Sequence, residues 1–210
     1  MSEGKKPLSP LGTLFDESYA PLNRAEVLRE GVARVRQAGA WAVAQALDSL
    51  TARLSPKVMR PPGAVGELEF LVACTRCNKC VEACPSNSIR VLPPSIGIAA
   101  GTPYIDPNQG RPCVACNEAP CMPSCPTGAL TLLPLREVRM GTARILRDVC
   151  LAWASVSCRR CVDACPYPDE AILLDEQGRV YVDPRECIGC GLCVAACPTR
   201  PKSVVVDPLR

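Results

Sequence analysis

Cys187, Cys190, Cys193 and Cys197 stand in the spacing CxxCxxCxxxC, and the last of them is followed by Pro198. Nothing else restricts the fold as strongly, because the pattern recurs four times and uses all sixteen cysteines of the chain. The first copy is Cys74, Cys77, Cys80 and Cys84-Pro85. In the second, Cys113, Cys116, Cys121 and Cys125-Pro126, the middle gap is widened to four residues; in the third, Cys150, Cys158, Cys161 and Cys165-Pro166, the first gap is stretched to seven. Three thiolates two residues apart can curl round one corner of a cuboidal [4Fe–4S] cluster, while the fourth reaches a second cluster. Proline after the fourth cysteine removes an N–H and biases that cysteine toward extended backbone. Gly189 and Gly191 permit close approach of main chain to inorganic sulfide. The expectation is four [4Fe–4S] clusters and sixteen cysteine ligands.

Two other uses of cysteine fit less well. Disulfide scaffolds belong to secreted chains, and nothing near the N-terminus reads as a cleavable secretory signal. Zinc modules use paired CxxC sites but do not call for a third cysteine three residues on and a Cys-Pro after the fourth.

The chain has only two Trp, two Phe and four Tyr for a core, so metal must replace much of the usual packing, and folding is expected to be coupled to cluster assembly. The formal charge of +3 counts the cysteines as neutral. Each cluster with its four thiolates carries about −2, so four bring the loaded protein to about −5. No basic stripe interleaved with aromatics is present, and nucleic acid is not an expected partner. Histidine is absent, which excludes a Rieske ligand, a His-ligated haem and His-based acid–base catalysis. Neither a strand-linked GxGxxG nor GxxxxGK[ST] occurs, and the radical-type spacing CxxxCxxC is missing. No catalytic residues are expected: the chain carries electrons and is not itself an enzyme, although it can serve as the non-catalytic subunit of an oxidoreductase.

Along the chain, residues 1–22 read as a flexible arm rich in Pro, Ser and Gly. Asn23 and Glu26 form a capping box for an amphipathic helix over 23–55, with Leu28, Val32, Val35, Val43, Leu47, Leu50 and Leu54 at helical spacing. Its most apolar part, Ala38 to Leu47, is too short to span a bilayer. Three readings of this helix stay open: packing on the body or a partner, lying on a membrane surface, or export. No adjacent arginine pair precedes its apolar run; the one Arg-Arg pair, Arg159-Arg160, lies inside the third motif. Residues 56–66, with Pro56, Pro61, Pro62 and Gly63, read as a linker.

The remainder divides into two repeats, 67–138 and 139–210, each with two cysteine motifs. Strands are expected at Glu69–Val72, Ser88–Leu92, Pro103–Asp106, Ala129–Leu133, Ala143–Arg147, Ala171–Leu174, Val180–Val182 and Ser203–Val206. The fold class is therefore α+β: tandem modules of short hairpins, short helices and cluster loops behind an N-terminal helix. Each repeat resembles a bacterial two-cluster ferredoxin. That resemblance implies sequential pairing, in which Cys74, Cys77 and Cys80 join Cys125, Cys84 joins Cys113, Cys116 and Cys121, Cys150, Cys158 and Cys161 join Cys197, and Cys165 joins Cys187, Cys190 and Cys193. A nested arrangement of motif one with four and two with three stays open, because ALTLL and ARILR can form a connecting hairpin.

The runs RPPGAVGELEFLVACTRCNKCVEACPSNSI, GTPYIDPNQGRPCVACNEAPCMPSCPTGAL and MGTARILRDVC before CRRCVDACP resemble the MauM/NapG family of ferredoxin-type proteins, over about residues 60–207. The unequal spacings of motifs two and three carry the resemblance. It implies electron relay between a membrane-bound quinone-reactive partner and an oxidoreductase catalytic subunit, with membrane contact through that partner or through the 23–55 helix. Relatives of this kind usually begin with a twin-arginine export signal, which this sequence lacks. A cytoplasmic location, membrane-associated through a partner, is the expectation, with export to the periplasm alongside a partner as the alternative. A freely diffusing polyferredoxin is the alternative function, and a redox sensor or cluster scaffold a further one. Trp153 is expected to pack against the body, Arg159 and Arg160 to be solvated, and the long loop from Pro93 to Gly101 is either a partner contact or a tolerated insertion.

Overall fold

Prolines and cysteine turns leave room for only short regular elements. A computed structural model describes residues 57–209 together with Gly39; the expected arm over 1–22 and helix over 23–55 otherwise lie outside the described residues. In chain order the helices and strands are α1 (Glu67–Ala73), α2 (Lys79–Glu82), β1 (Ile89–Val91), β2 (Pro103–Ile105), β3 (Gly141–Ile145), α3 (Arg160–Asp163), β4 (Ile172–Leu174), β5 (Val180–Val182), α4 (Leu192–Ala196) and β6 (Val204–Pro208). Among the described residues no helix is long and apolar enough to cross a membrane.

The strands pair antiparallel in three small sheets, β1 with β2, β4 with β5, and β3 with β6. In the last, Ile145 faces Val204 and Gly141 faces Pro208, so the entrance of the second repeat is tied to its exit. The first repeat closes differently. Ala64 makes a single bridge to Leu130, and the Thr131 N–H and hydroxyl both donate to the Gly63 carbonyl at 2.7 and 3.0 Å. Pro61 and Pro62 lack the N–H groups that would lengthen this ladder. The strand expected over Ala129–Leu133 is thus reduced to that bridge.

Two further departures have clear causes. Glu69–Val72, expected as a strand, lies in α1, where Glu67 and Glu69 fall in the first turn and Phe70 is the one fully buried side chain while Val72 faces out. Acidic residues at a helix start are favoured by the dipole, and one buried position in seven suits a helix better than an alternating strand. The segment read as a linker is, from Lys57 onward, packed into the body: Met59 bridges Ile105 at the edge of β2, and the Ile105 N–H donates to its carbonyl at 2.8 Å.

Arg60 holds this segment in place. It is 8% exposed, and its guanidinium donates twice to the Glu67 carboxylate (2.6 and 2.8 Å), once to Thr102 Oγ1 (2.8 Å) and once to the Pro103 carbonyl (2.9 Å), while stacking 4.6 Å from the Phe70 ring. Removing one partner of such a buried pair leaves the other uncompensated, so Arg60→Ala should cost about 3 kcal/mol. For a chain of this size that is roughly 6–12 °C in the anaerobic melting temperature of the iron-loaded protein.

The core is small and largely aliphatic: Phe70, Ile105, Met122, Leu130 and Val138 in the first repeat, with Met59 packed in from the segment before it, and Val162, Ile172, Val180, Val194, Val204 and Val206 in the second, with cysteines interleaved throughout. The two repeats meet along a narrow seam. Asn108 brackets β6, its amide donating to the Val206 carbonyl and its oxygen accepting from the Val206 N–H, both at 2.9 Å. Beside it Gly191, at φ +81°, lies so close to Pro107 that an added Cβ would come within 2.1 Å of that ring.

Candidate metal centres

The cysteines gather round four small cavities. Site one is lined by Cys74, Cys77, Cys80 and Cys125. Site two is lined by Cys84, Cys113, Cys116 and Cys121. Site three has Cys165, Cys187, Cys190 and Cys193, and site four has Cys150, Cys158, Cys161 and Cys197. Every triplet meets the fourth cysteine of the other motif in its own repeat, which is the sequential arrangement and not the nested one. The strand pairing explains it: ARI in β3 pairs with VVV in β6, and ALTLL turns back to Ala64, so no ALTLL–ARILR hairpin forms.

The local backbone aims the thiols inward. Cys80, Cys161 and Cys193 lie within α2, α3 and α4, and Cys84, Cys165 and Cys197 follow just past those helices, so one short helix feeds two neighbouring cavities. Asn78 before α2 and Gly191 before α4 adopt left-handed backbone that turns the chain from cluster loop to helix. Motif two lacks the helix. Its four-residue gap contains Pro120, Pro123 follows, and Ala119 has φ +38°, so the segment is a run of turns. Main-chain N–H groups point at the sulfurs, Ser88 at Cys84, Leu130 at Cys125 and Ala143 at Cys187 each at 3.4 Å.

Without positive charge these quartets are electrostatically frustrated. Burial, then the neighbouring Cys74, Cys125 and Cys77, pushes the Cys80 thiol up to about 11. Burial and the facing Cys113, Cys116 and Cys84 raise Cys121 to about 12, burial takes Cys190 to about 12, and Cys193 is driven higher still. Three of the four fourth-position cysteines behave otherwise. Burial raises Cys197, but hydrogen bonds from Ser203 and Thr199 and from their backbone outweigh it and bring the thiol down to about 7. Cys84 and Cys125 are also lowered on balance, burial being outweighed by bonds from Ser86 and Ser88 or from Thr127 and Leu130. Cys165, flanked by Pro166 and Tyr167, is raised, chiefly by burial.

The donor set fits an iron–sulfur cluster. Each cavity offers four thiols and no His, Asp or Glu among its lining residues; the remaining lining is mostly apolar at sites two, three and four, while site one adds Thr75, Arg76, Asn78 and Thr127 to Phe70, Pro103, Ala129 and Leu130. Among the described residues no three His, Cys, Asp or Glu converge on a point that holds a single metal ion. The thiols encircle a volume, as a polynuclear group requires and a tetrahedral zinc ion does not.

Sites two and three adjoin across the seam between the repeats, where the Cys113 N–H donates to the Cys190 carbonyl at 2.8 Å. No sequence pattern announces that contact. The hydroxyls at Ser86, Thr127 and Thr199 do carry a signal that motif spacing alone overlooks, a Cys-Pro-Ser/Thr triplet in motifs one, two and four. Among the other residues singled out, Trp153 packs as expected: its indole N–H donates to the Val180 carbonyl at 3.1 Å, its ring meets Tyr181 edge-on at 5.2 Å, and Arg147 lies 4.3 Å above it. Arg159 and Arg160 are exposed, Arg159 pairing with Asp163 at 2.8 Å. The Pro93–Gly101 loop forms 3₁₀ turns over Pro94–Ala99, and Arg76 donates to its Ala100 and Ile98 carbonyls at 2.9 and 3.1 Å.

Comparison with known proteins agrees with this arrangement. A family model described as a 4Fe-4S dicluster domain matches twice, over residues 73–129 and 154–200. The chain is 38% identical over 165 residues to the ferredoxin-type protein NapG of Escherichia coli K12, covering 77% of this chain and 71% of that relative. To the methylamine utilization ferredoxin-type protein MauM of Methylophilus methylotrophus it is 38% identical over 196 residues, covering 84% and 85%. With MauM of Methylorubrum extorquens the identity is 36% over 180 residues, covering 80% and 81%. The paired dicluster domains, small sheets and short helices make an α+β ferredoxin-type fold that carries 4Fe-4S clusters. The chain therefore belongs to the NapG/MauM family of ferredoxin-type iron–sulfur proteins, which are electron carriers and not catalysts.

Proposed function

We propose that the protein holds four [4Fe–4S] clusters, one in each cysteine quartet, and relays electrons between a membrane-bound quinone-reactive partner and an oxidoreductase as a subunit of a larger complex. When bound, the clusters supply one-electron redox centres in a continuous row. The observation that carries this reading is the seam, where the Cys113 N–H meets the Cys190 carbonyl at 2.8 Å and brings the two inner cavities side by side. The chain's own contribution is to supply sixteen thiolates, to set most of them among apolar side chains, and to aim N–H and O–H groups at their sulfurs. In this reading residues 67–138 and 139–210 are two electron-carrying modules, and the segment 1–55 docks the body to its partner. The partner fixes the compartment: the cytoplasmic face of a membrane, or the periplasm after joint export.

The test is an anaerobic pull-down of the tagged protein from its native membrane fraction, with iron and acid-labile sulfide counted per chain. About sixteen irons together with a quinone-reactive or oxidoreductase partner is the expected result. About sixteen irons without any partner would leave a freely diffusing polyferredoxin, and few irons with bound zinc would overturn the metal assignment.

A further inference from the structure

The four fourth-position cysteines are solvated unequally by hydroxyl groups. At site four, Thr199 Oγ1 and Ser203 Oγ both lie 3.2 Å from Cys197 Sγ. Thr199 Oγ1 already accepts from the Ser203 N–H at 2.8 Å, which leaves its own proton free for the sulfur. Ser203 is 3% exposed, and Cys197 Sγ is the hydrogen-bond partner of its hydroxyl among the described residues. A metal-bound thiolate can only accept, so both hydroxyls donate to it. The Lys202 ammonium adds positive charge by donating to the Cys197 carbonyl.

Elsewhere the same position is poorer. At site two the Ser88 hydroxyl donates to the Pro112 carbonyl at 2.5 Å, so Ser88 Oγ accepts from Ser86 at 2.8 Å, which draws the Ser86 proton away from Cys84 Sγ at 3.5 Å. At site one Thr127 Oγ1 is 3.7 Å from Cys125 Sγ. At site three Tyr167 stands where Thr199 would, its ring under Arg136 at 4.7 Å, and among the described residues no hydroxyl bonds to Cys165. Three of the four cysteines are buried at site three and at site four alike, so burial does not separate the two; the Ala143 N–H donates to Cys187 Sγ of site three at 3.4 Å, longer than either hydroxyl contact at Cys197.

Adding an electron to a cluster places negative charge on its sulfurs, and donors aimed at those sulfurs stabilise the reduced form. We infer that Thr199 and Ser203 make site four the most easily reduced of the four centres, and that site three is the hardest to reduce of the two in the second repeat. Resting on the four-cluster reading, this gives the relay a direction: an electron entering the body settles at site four, the end at which it leaves. Thr199 and Ser203 tune the potential of that site.

The experiment compares the iron-loaded wild type with the Thr199→Val/Ser203→Ala variant, reduced anaerobically with limiting dithionite and followed by EPR-monitored titration. Iron and sulfide are counted in both, and near-equal counts of about sixteen irons show that the sites are still filled. The expected result is that the first signal to appear in the wild type moves to lower potential by about 59 mV or more, a tenfold or greater loss of reduced site at a given potential. Conversely, Tyr167→Thr should move a different, lower-potential signal upward and leave the first unchanged. With full iron retained, an unmoved first signal in the double variant would overturn the inference. A low iron count in the wild type itself would instead strike the four-cluster reading. Loss of iron in the double variant alone is met by the single Ser203→Ala variant, which should show part of the same shift and whose unmoved signal would likewise overturn the inference.

Discussion

The Gly189→Ala variant is expected to fail to assemble site three, with iron falling by about a quarter or more and the folded state destabilised by more than about 4 kcal/mol. Gly189 has φ +77°, and a Cβ there would lie 2.4, 2.5 and 2.8 Å from the N, O and C atoms of Gly141, all of them main chain. Gly141 cannot withdraw, because it is paired with Pro208 in the β3–β6 ladder and its own far side is closed by the Asp207 carbonyl, 2.5 Å from where a Cβ would sit. The clash falls between Cys187 and Cys190, so any relief displaces ligands. Gly178→Ala separates this effect from simple backbone strain: Gly178 shares nearly the same φ, +75°, yet nothing lies within 4 Å of an added Cβ. That variant should lose only about 1–2 kcal/mol and keep its full iron. The measurements are iron per chain and the anaerobic melting temperature, and equal behaviour of the two variants would show that the contact with Gly141 is unimportant.

Cys193→Ala is expected to abolish one centre and leave the others, taking iron from about sixteen to about twelve per chain. Cys193 is buried in α4 and faces Cys187, Cys190 and Cys165, and site three lies between site two and site four in the row of cavities. Losing it should therefore interrupt transfer along the body as well as remove iron, so reduction of site four through the first repeat should slow by orders of magnitude. Unchanged iron and unchanged transfer in this variant would overturn the assignment of the quartet. Cys77→Ala offers the contrast. Cys77 is the exposed member of the terminal site one, and its loss should remove iron without affecting exchange between sites three and four.

Much of the site was legible before any coordinates. The sixteen cysteines, their division into four motifs and the module-like repeat follow from spacings along the covalent chain, and a CxxCxxC turn can fold round a corner of a cluster almost regardless of its surroundings. The hairpin AILLDEQGRVYV was equally plain: β4 and β5 pair as Ile172 with Val182 and Leu174 with Val180, around a turn in which Asp175 accepts from the N–H groups of Gln177 and Arg179. The segment ELEFLVA was not, because a short apolar run bears no period long enough to separate strand from helix, and the first-turn acids decided it only once Phe70 had a pocket.

By itself the sequence determined how the sixteen cysteines divide into four motifs and that the chemistry they point to is that of 4Fe-4S clusters, since both depend on residue type and local spacing. Which fourth cysteine meets which triplet, that Cys113 touches Cys190 across the seam, and that two hydroxyls converge on Cys197 while, among the described residues, none reaches Cys165 were decided by the tertiary structure alone. These are contacts between distant segments, set by the β3–β6 pairing and by two glycine-sized gaps at Gly141 and Pro107, and they arise only when separate parts of the chain are packed against one another.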